Sequence, residues 1–231
     1  MSMHTVHPSV VAEQPSGTSA FRPPRAPAGG NLVGSLDLMG SPLSFGRNEE
    51  IYGENDEAEY VYKIVRGTVR IYKIMSDGRR QIGAFYLPGD IFGMEVGALH
   101  EFSAEAIGNA TVLVIKRSAL ISLADRDGVV ARELWAFTAC ELRRLQRHVL
   151  LLIQSAQERV AAFLLEMSDR VASNDAIELP MSRQDIADYL GLTIETVSRT
   201  LTQLETAATI ALPTSRRVVL RNRGALCRLN A

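Results

Sequence analysis

Along the middle of the chain, Trp135, Thr138, Leu142, Leu145, Val149, Leu152 and Ala156 recur at alternating spacings of three and four, the period of a coiled-coil seam. No glycine or proline falls between Val129 and Ala172, so the pattern predicts a helix of about 27 residues, ~40 Å long at about 1.5 Å per residue. A rod of that length exceeds what a small domain needs for its own core. Two such rods joined along their seams would make a homodimer. The run Val149 to Ile153 is apolar on more than one face, which also requires packing against the helix's own subunit. A core helix in a monomer is the competing reading.

Upstream the period changes to two. The stretch EYVYKIVRGTVRIYKIMSDGRRQIGAFYLPGDIFG alternates apolar and polar residues around turn signals at Arg66-Gly67, Asp77-Gly78 and Pro88-Gly89, and the alternation resumes through ATVLVIKRSAL. Short antiparallel strands between about residues 43 and 117 follow, in a sandwich or roll with jelly-roll connections. Residues 1–42 hold six of the nine prolines and few periodic apolar positions, too little burial to offset ordering, so they are expected to be a disordered tail. The expected division is a tail at 1–42, a β-roll at 43–128, a dimerisation helix at 129–158 and a separate C-terminal unit at 159–231.

Beyond the long helix come the amphipathic stretch SAQERVAAFLLEMSDRVA, the extended ELPMS, and two short helical patterns separated by Gly191. Ser182 suits an N-cap, with Asp185 three positions on, and Thr193 suits the cap of the second helix. Ile194, Val197, Leu201 and Leu204 form that helix's inward stripe. Glu195, Ser198 and Arg199, at i, i+3 and i+4, project together from the other face. A helix fits the major groove, where Arg grips guanine, Glu accepts from a base amino group and a hydroxyl adapts to either. These three are the candidate base-contacting residues. Ser182, Arg183, Thr193 and Thr196 are the candidate phosphate contacts, from helix N-termini and hydroxyls. An i, i+4 surface ion pair between Glu195 and Arg199 is the competing reading. The segment Ser215 to Arg228 adds five arginines and no acid, and its alternating start predicts a β-hairpin wing.

Composition narrows the partners. The chain has 231 residues, 46% of them apolar and 22% charged, with 25 basic residues against 26 acidic. The balance neither announces nor excludes nucleic acid. No apolar run approaches the ~18 residues of a membrane span, and no signal-peptide core is present, so no membrane partner and a cytoplasmic location are expected. The two cysteines, Cys140 and Cys227, build neither a disulfide framework nor a four-cysteine cluster. Of four histidines, His4 and His7 lie in the tail, His100 in a loop and His148 on the long helix, so no histidine triad for a metal enzyme can form on the strands. No metal, cofactor or catalytic residue is expected, and the chain reads as a non-enzyme.

The stretch RQDIADYLGLTIETVSRTLTQLE resembles the helix-turn-helix of the CRP/FNR superfamily of bacterial transcription regulators. PGDIFG resembles a turn of that superfamily's cyclic-nucleotide-binding-like β-roll, and the long helix resembles its dimer helix. The resemblance covers residues 43–225 and implies an α+β fold: an N-terminal β-roll, a long coiled-coil dimerisation helix and a C-terminal winged helix-turn-helix. Glu195, Ser198 and Arg199 resemble the FNR branch, most nearly its FixK type, which implies a TTGA/TCAA palindrome with Arg199 on guanine, Glu195 on cytosine or adenine amino groups and Ser198 on thymine. It further implies RNA polymerase as a partner, activation, and genes of oxygen-limited respiration. Several features depart from the pattern. Residues 1–42 contain no cysteine, so no iron–sulfur cluster is expected. Phe102-Ser103 stands where the cyclic-AMP receptors have Arg-Ser, and although Glu95 remains near the ribose position, no cyclic nucleotide is expected. Ala208 stands where the superfamily usually has glycine between recognition helix and wing. A haem- or ligand-gated regulator of the same fold, with His100 as its only available imidazole, is the alternative.

Overall fold

The computed structural model describes residues 31–171 and 176–229. Helix α1 (Asn31–Met39) leads into eight strands: β1 (Ser41–Phe45), β2 (Glu50–Tyr52), β3 (Tyr60–Arg66), β4 (Val69–Ile74), β5 (Arg80–Tyr86), β6 (Ile91–Phe92), β7 (Ser103–Ala106) and β8 (Ala110–Lys116). They form two four-stranded antiparallel sheets, ordered β1-β8-β3-β6 and β2-β7-β4-β5. The inner faces close over a core that includes Ile64, Val69, Ala84, Phe92, Ala104 and Val112. Gly67 makes the tight β3–β4 turn at φ +83°, where an added Cβ would lie 2.5 Å from the Asn109 carbonyl oxygen, so no larger residue fits.

The tail is shorter than expected. Asn31–Met39 is a helix and β1 begins at Ser41, within the segment assigned to disorder; residues 1–30 lie outside the described ones. Leu32 and Leu36 are buried beside Val130 and Phe137, the Leu32 amide donates to Glu133 Oε2 at 2.6 Å, and Asp37 pairs with Lys63 at 2.5 Å. Nine residues that carry Gly34 and Ser35 have little intrinsic helicity, and it is this tertiary contact that holds them.

After β8 the chain forms α2 (Arg117–Arg126) and the long α3 (Gly128–Leu151), whose N-cap Asp127 accepts from the Val129 and Val130 amides. At 24 residues, α3 stops short of the expected end at 158. Ser155 takes its amide to Glu158 Oε2 at 2.6 Å and its hydroxyl accepts from the Glu158 amide. That reciprocal cap starts a new helix, α4 (Ala156–Val171). Ala156 is therefore the first residue of α4, and Leu152 is the C-cap of α3, near the turn at Gly191. The rest of the stripe is open in the single chain: Trp135 is 78% exposed, and Thr138, Leu142, Leu145 and Val149 are also exposed. The opposite stripe, Val130, Leu134 and Phe137, packs against α1 and the roll.

The C-terminal unit holds β9 (Ala176–Glu178), α5 (Arg183–Leu190), α6 (Ile194–Thr206), β10 (Ile210–Ala211), β11 (Arg217–Leu220) and α7 (Arg223–Leu229). The expected wing hairpin, β10–β11, gains β9 as a third antiparallel strand. Between α6 and β10, Ala208 adopts φ +52°, with its amide bonded to the Glu205 carbonyl and that of Thr209 to the Leu204 carbonyl, a Schellman end that favours glycine. Position 208 is exposed, so glycine forfeits no packing there. Ala208→Gly is expected to raise stability by about 0.5–1 kcal/mol, read as a higher urea midpoint at unchanged slope; an equal or lower midpoint would show that the left-handed alanine costs nothing here.

Candidate nucleic-acid interface

The helix pair is fixed by its caps. The Ser182 hydroxyl accepts from the Asp185 amide at 3.1 Å, while Asp185 Oδ2 accepts from the Ser182 amide at 2.9 Å and hydroxyl at 2.8 Å. The expected capping box is thus present, with the shorter aspartate closing it. Gly191 takes the left-handed conformation at φ +62°, and Arg159 of α4 clamps the turn by donating to the Leu190 carbonyl at 2.9 Å. Thr193 caps α6 through the Thr196 amide at 3.2 Å, and the two hydroxyls lie 3.1 Å apart.

Helix α6 buries Val197, Thr200, Leu201 and Leu204. Ile194 of the expected inward stripe is 37% exposed at the first helical position, and Thr200 is buried in addition to the expected residues. Glu195 and Arg199 are exposed and Ser198 half-buried on the outward side. No ion pair joins Glu195 to Arg199 among the described residues, nor does either meet another charged partner within ion-pair distance, so the competing surface-pair reading has no contact behind it. The Glu195 carboxyl is lowered by its own backbone amide and by the Thr193 hydroxyl, which keeps it an ionised acceptor. Arg183 is half-buried at the first position of α5. In the wing segment, Arg216, Arg217 and Arg221 are exposed, whereas Arg223 is engaged by Asp169 and Ser168 of α4.

The least legible feature lies behind the helix pair. Asp185, with a side chain 4% exposed, accepts from Arg70 Nη1 of β4 at 2.7 Å and from Arg80 Nη2 of β5 at 2.6 Å. Arg70 also pairs with Glu105 at 2.8 Å and Arg80 with Asp188 at 2.8 Å. The roll and the DNA-binding unit are therefore bolted together through the same carboxylate that caps α5. Sequence periodicity marks Asp185 as a cap and the arginines as alternating strand positions, and gives no sign that they meet. His100, placed in a loop by the sequence, is 1% exposed and stacked on Tyr52 at 3.6 Å. The β-roll carries it inward from its loop.

A β-roll joined by a long helix to a winged helix-turn-helix with an unpaired polar reading face is the build of a DNA-binding transcription regulator. The Crp-like helix-turn-helix domain matches residues 158–229 and the cyclic nucleotide-binding domain residues 42–127. The chain is 54% identical over 199 residues to the nitrogen fixation regulation protein FixK of Azorhizobium caulinodans, covering 84% of this chain and 80% of that one. It is 42% identical over 175 residues to the transcriptional activatory protein AadR of Rhodopseudomonas palustris, covering 74% and 73%. The structure of FixK2 from Bradyrhizobium japonicum superposes with a TM-score of 0.80 at 55% identity, over 83% of this chain and 98% of that one. The chain belongs to the CRP/FNR superfamily, in its FixK-type branch. It is a transcription regulator with a DNA-binding domain and not an enzyme.

Asp185 also sets an acid limit. Burial alone would raise its carboxyl, but hydrogen bonds from the Ser182 amide and hydroxyl, with the charges of Arg70 and Arg80, bring it below its ordinary value of 3.8. A depressed folded pKa contributes stability that is complete above the unfolded value and is lost as pH falls through the folded one. Removing the charge leaves Arg70 buried with one acid fewer, so Asp185→Asn is expected to lower stability by about 3 kcal/mol at neutral pH. The loss should shrink as pH falls below the unfolded value and through the lowered folded one, where the parent's own carboxyl protonates. Denaturant melts at neutral and acid pH check this; a loss independent of pH would assign the effect to packing.

Proposed function

We propose that the chain is a homodimeric, sequence-specific transcription activator that recognises a TTGA/TCAA-type palindrome, works in the cytoplasm and controls genes of oxygen-limited metabolism with RNA polymerase as its partner. The observation that carries this is the outward face of α6, where Glu195, Ser198 and Arg199 stand in the first two turns and the two charged groups have no ion-pair partner among the described residues. Such groups keep their hydrogen-bonding capacity for base edges. Thr193, Thr196, Arg183 and the Ser182-capped N-terminus of α5 supply the phosphate contacts, with the hydroxyls of Ser182, Thr193 and Thr196 already held in their caps. The printed names of the relatives, a nitrogen fixation regulator and a transcriptional activator, favour activation and the oxygen-limited setting. Among the described residues no helix is long and apolar enough to cross a membrane.

Dimerisation is supported by the open stripe from Trp135 to Val149, four large apolar side chains and Thr138 on one face of a rod about 36 Å long at about 1.5 Å per residue. A roll that works without a cyclic nucleotide is supported by what fills it. Tyr52, Tyr62, Tyr86, Phe92 and His100 pack ring to ring between the sheets, Tyr62 and Tyr86 each within 5.2 Å of Phe92. The roll's buried cations are consumed by acids, Lys63 by Asp37 and Arg70 by Glu105 and Asp185. Phe102 lies across Gly83, leaving no cation at that position. These residues do not fit a cyclic phosphate. Nor does His100 line the apolar cavity of about 580 Å³ at the roll's rim, where a haem-gated reading would need it.

Two substitutions test the reading. Arg199→Ala is expected to lose roughly 1–3 kcal/mol of binding to a TTGA duplex and to relax preference at a single base pair; gel-shift titrations that find parental affinity and selectivity would place the recognition face elsewhere. Leu145→Glu buries an unpaired charge twice in a two-fold seam. Sedimentation is expected to show monomers, with DNA binding weakened in step because half-sites about 34 Å apart need two subunits. An intact dimer would exclude the seam.

A further inference from the structure

The ion-pair bolt at Asp185 forms the floor of a cleft of about 210 Å³ between roll and DNA-binding unit. Arg47, Arg70 and Arg80 line it from the roll, and Ser182, Asp185 and Arg216 from the other side. The acids of the floor are fully engaged: Asp185 holds Arg70 and Arg80, Glu105 holds Arg70, and Asp188 holds Arg80. Arg70 is more than nine-tenths buried and still keeps its Nε without a partner. At the rim, Arg47 and Arg216 are exposed and make no ion pair among the described residues. Arg216 gives one N–H to the Pro180 carbonyl at 3.3 Å. Glu49, two residues from Arg47, is turned back onto the Gly46 amide at 2.6 Å, and Glu50 leaves along β2 beside Glu105.

The loop that carries Arg47 is held at a set distance from the helix pair. The Asn48 amide donates to the Ala106 carbonyl at 2.8 Å, the Ala106 amide to the Glu49 carbonyl at 3.0 Å, and Asn48 Oδ1 accepts from Arg70 at 3.5 Å. In a helix-turn-helix the first helix crosses the DNA backbone, and its N-terminus is an anion site. Ser182 is that N-cap and lines the same cleft as Arg47. Phosphates recur about every 3.4 Å of rise along a strand, so a strand that meets the start of α5 runs past the cleft's rim.

We infer that Arg47 of the roll and Arg216 of the wing, flanking the N-terminus of α5, form a composite phosphate-binding surface, so that the roll itself touches duplex DNA. This rests on the reading that α6 enters the major groove. The Asp185 bolt is what makes the surface possible: it holds a roll residue and the helix pair in one body, with charge left over on the side of the cleft that opens to solvent.

The test uses the full chain in anisotropy titrations on a TTGA palindrome and on a scrambled duplex across a salt series. Arg47→Ala is expected to weaken both complexes several-fold by the same factor. It should flatten the dependence of log affinity on log salt by about 1 for each phosphate that is no longer neutralised, leaving the ratio between the two duplexes unchanged. Arg47→Lys should restore the slope and Arg47→Glu should weaken binding further than alanine. Parental affinity and slope in Arg47→Ala would overturn the inference. So would a changed sequence ratio at constant slope, which would mean base readout. If the parent itself does not prefer the TTGA duplex, the recognition reading fails, while the slope comparison on either duplex still decides Arg47.

Discussion

The arrangement of this protein depends on one buried carboxylate. Asp185 answers four donors at once: the amide and hydroxyl of Ser182, and the guanidinium groups of Arg70 and Arg80. The first two start α5 and the second two tie it to the β4–β5 hairpin. Around these charges the apolar packing is continuous, with Ile82, Phe85 and Ile107 of the roll in one cluster with Phe163, Ile186, Tyr189 and Leu190 of the DNA-binding unit. Apolar contact tolerates small rotations, whereas a rotation that parted Asp185 from its arginines would leave buried charges unpaired at several kcal/mol each. The net stabilisation by such a cluster is modest, because desolvation offsets most of the attraction; its effect here is to select one orientation.

Helix α3 extends that constraint to the seam. Arg144, on its inward face, is held by Glu141 at 3.1 Å, by the Phe85 carbonyl at 3.3 Å and over the Tyr86 ring at 5.1 Å. One turn further, His148 stacks on Tyr189 of α5 at 4.2 Å. Burial, with the Arg144 charge, lowers the His148 imidazole against the opposing charge of Glu166. Roll and helix pair thus both grip the inward side of α3, which fixes the direction of the outward stripe relative to the recognition helix. On the proposed dimer, the separation of the two reading faces is set by these contacts inside each subunit as much as by the seam between them.

The parts legible in the sequence are those where local pattern and final environment agree. The strands show because one face of each is buried, and α5 and α6 because Ser182, Gly191 and Thr193 are cap and turn residues used as such. What stayed hidden is tertiary. Asn31–Met39 becomes helical only through Leu32 and Leu36 against α3. The end of α3 was masked because the heptad spacing happens to run on through Leu152 and Ala156, although Ser155 and Glu158 spell a capping box in the sequence itself. Asp185 and its arginines are 115 and 105 residues apart, and no periodicity reports a contact of that kind. The burial of His100 is hidden for a related reason: nothing local shows the aromatic wall on which it stacks.

That wall also fills the interior of the roll. A roll built around an empty chamber would forgo dispersion attraction along its lining, and a bound molecule would restore it. Here rings occupy the space, and the phenols stay neutral: burial, reinforced by the Glu95 charge, raises Tyr52 and pushes Tyr62 up to about 12. His100 Nδ1 lies 3.1 Å from Glu95 Oε1 without the alignment of a hydrogen bond, and His100 Nε2 and Glu95 Oε2 also lack partners among the described residues. Each such atom costs about 1–3 kcal/mol, so the interior is filled without being fully satisfied. With its interior packed by its own side chains and its orientation set by Asp185, the roll is joined to the helix pair as one body.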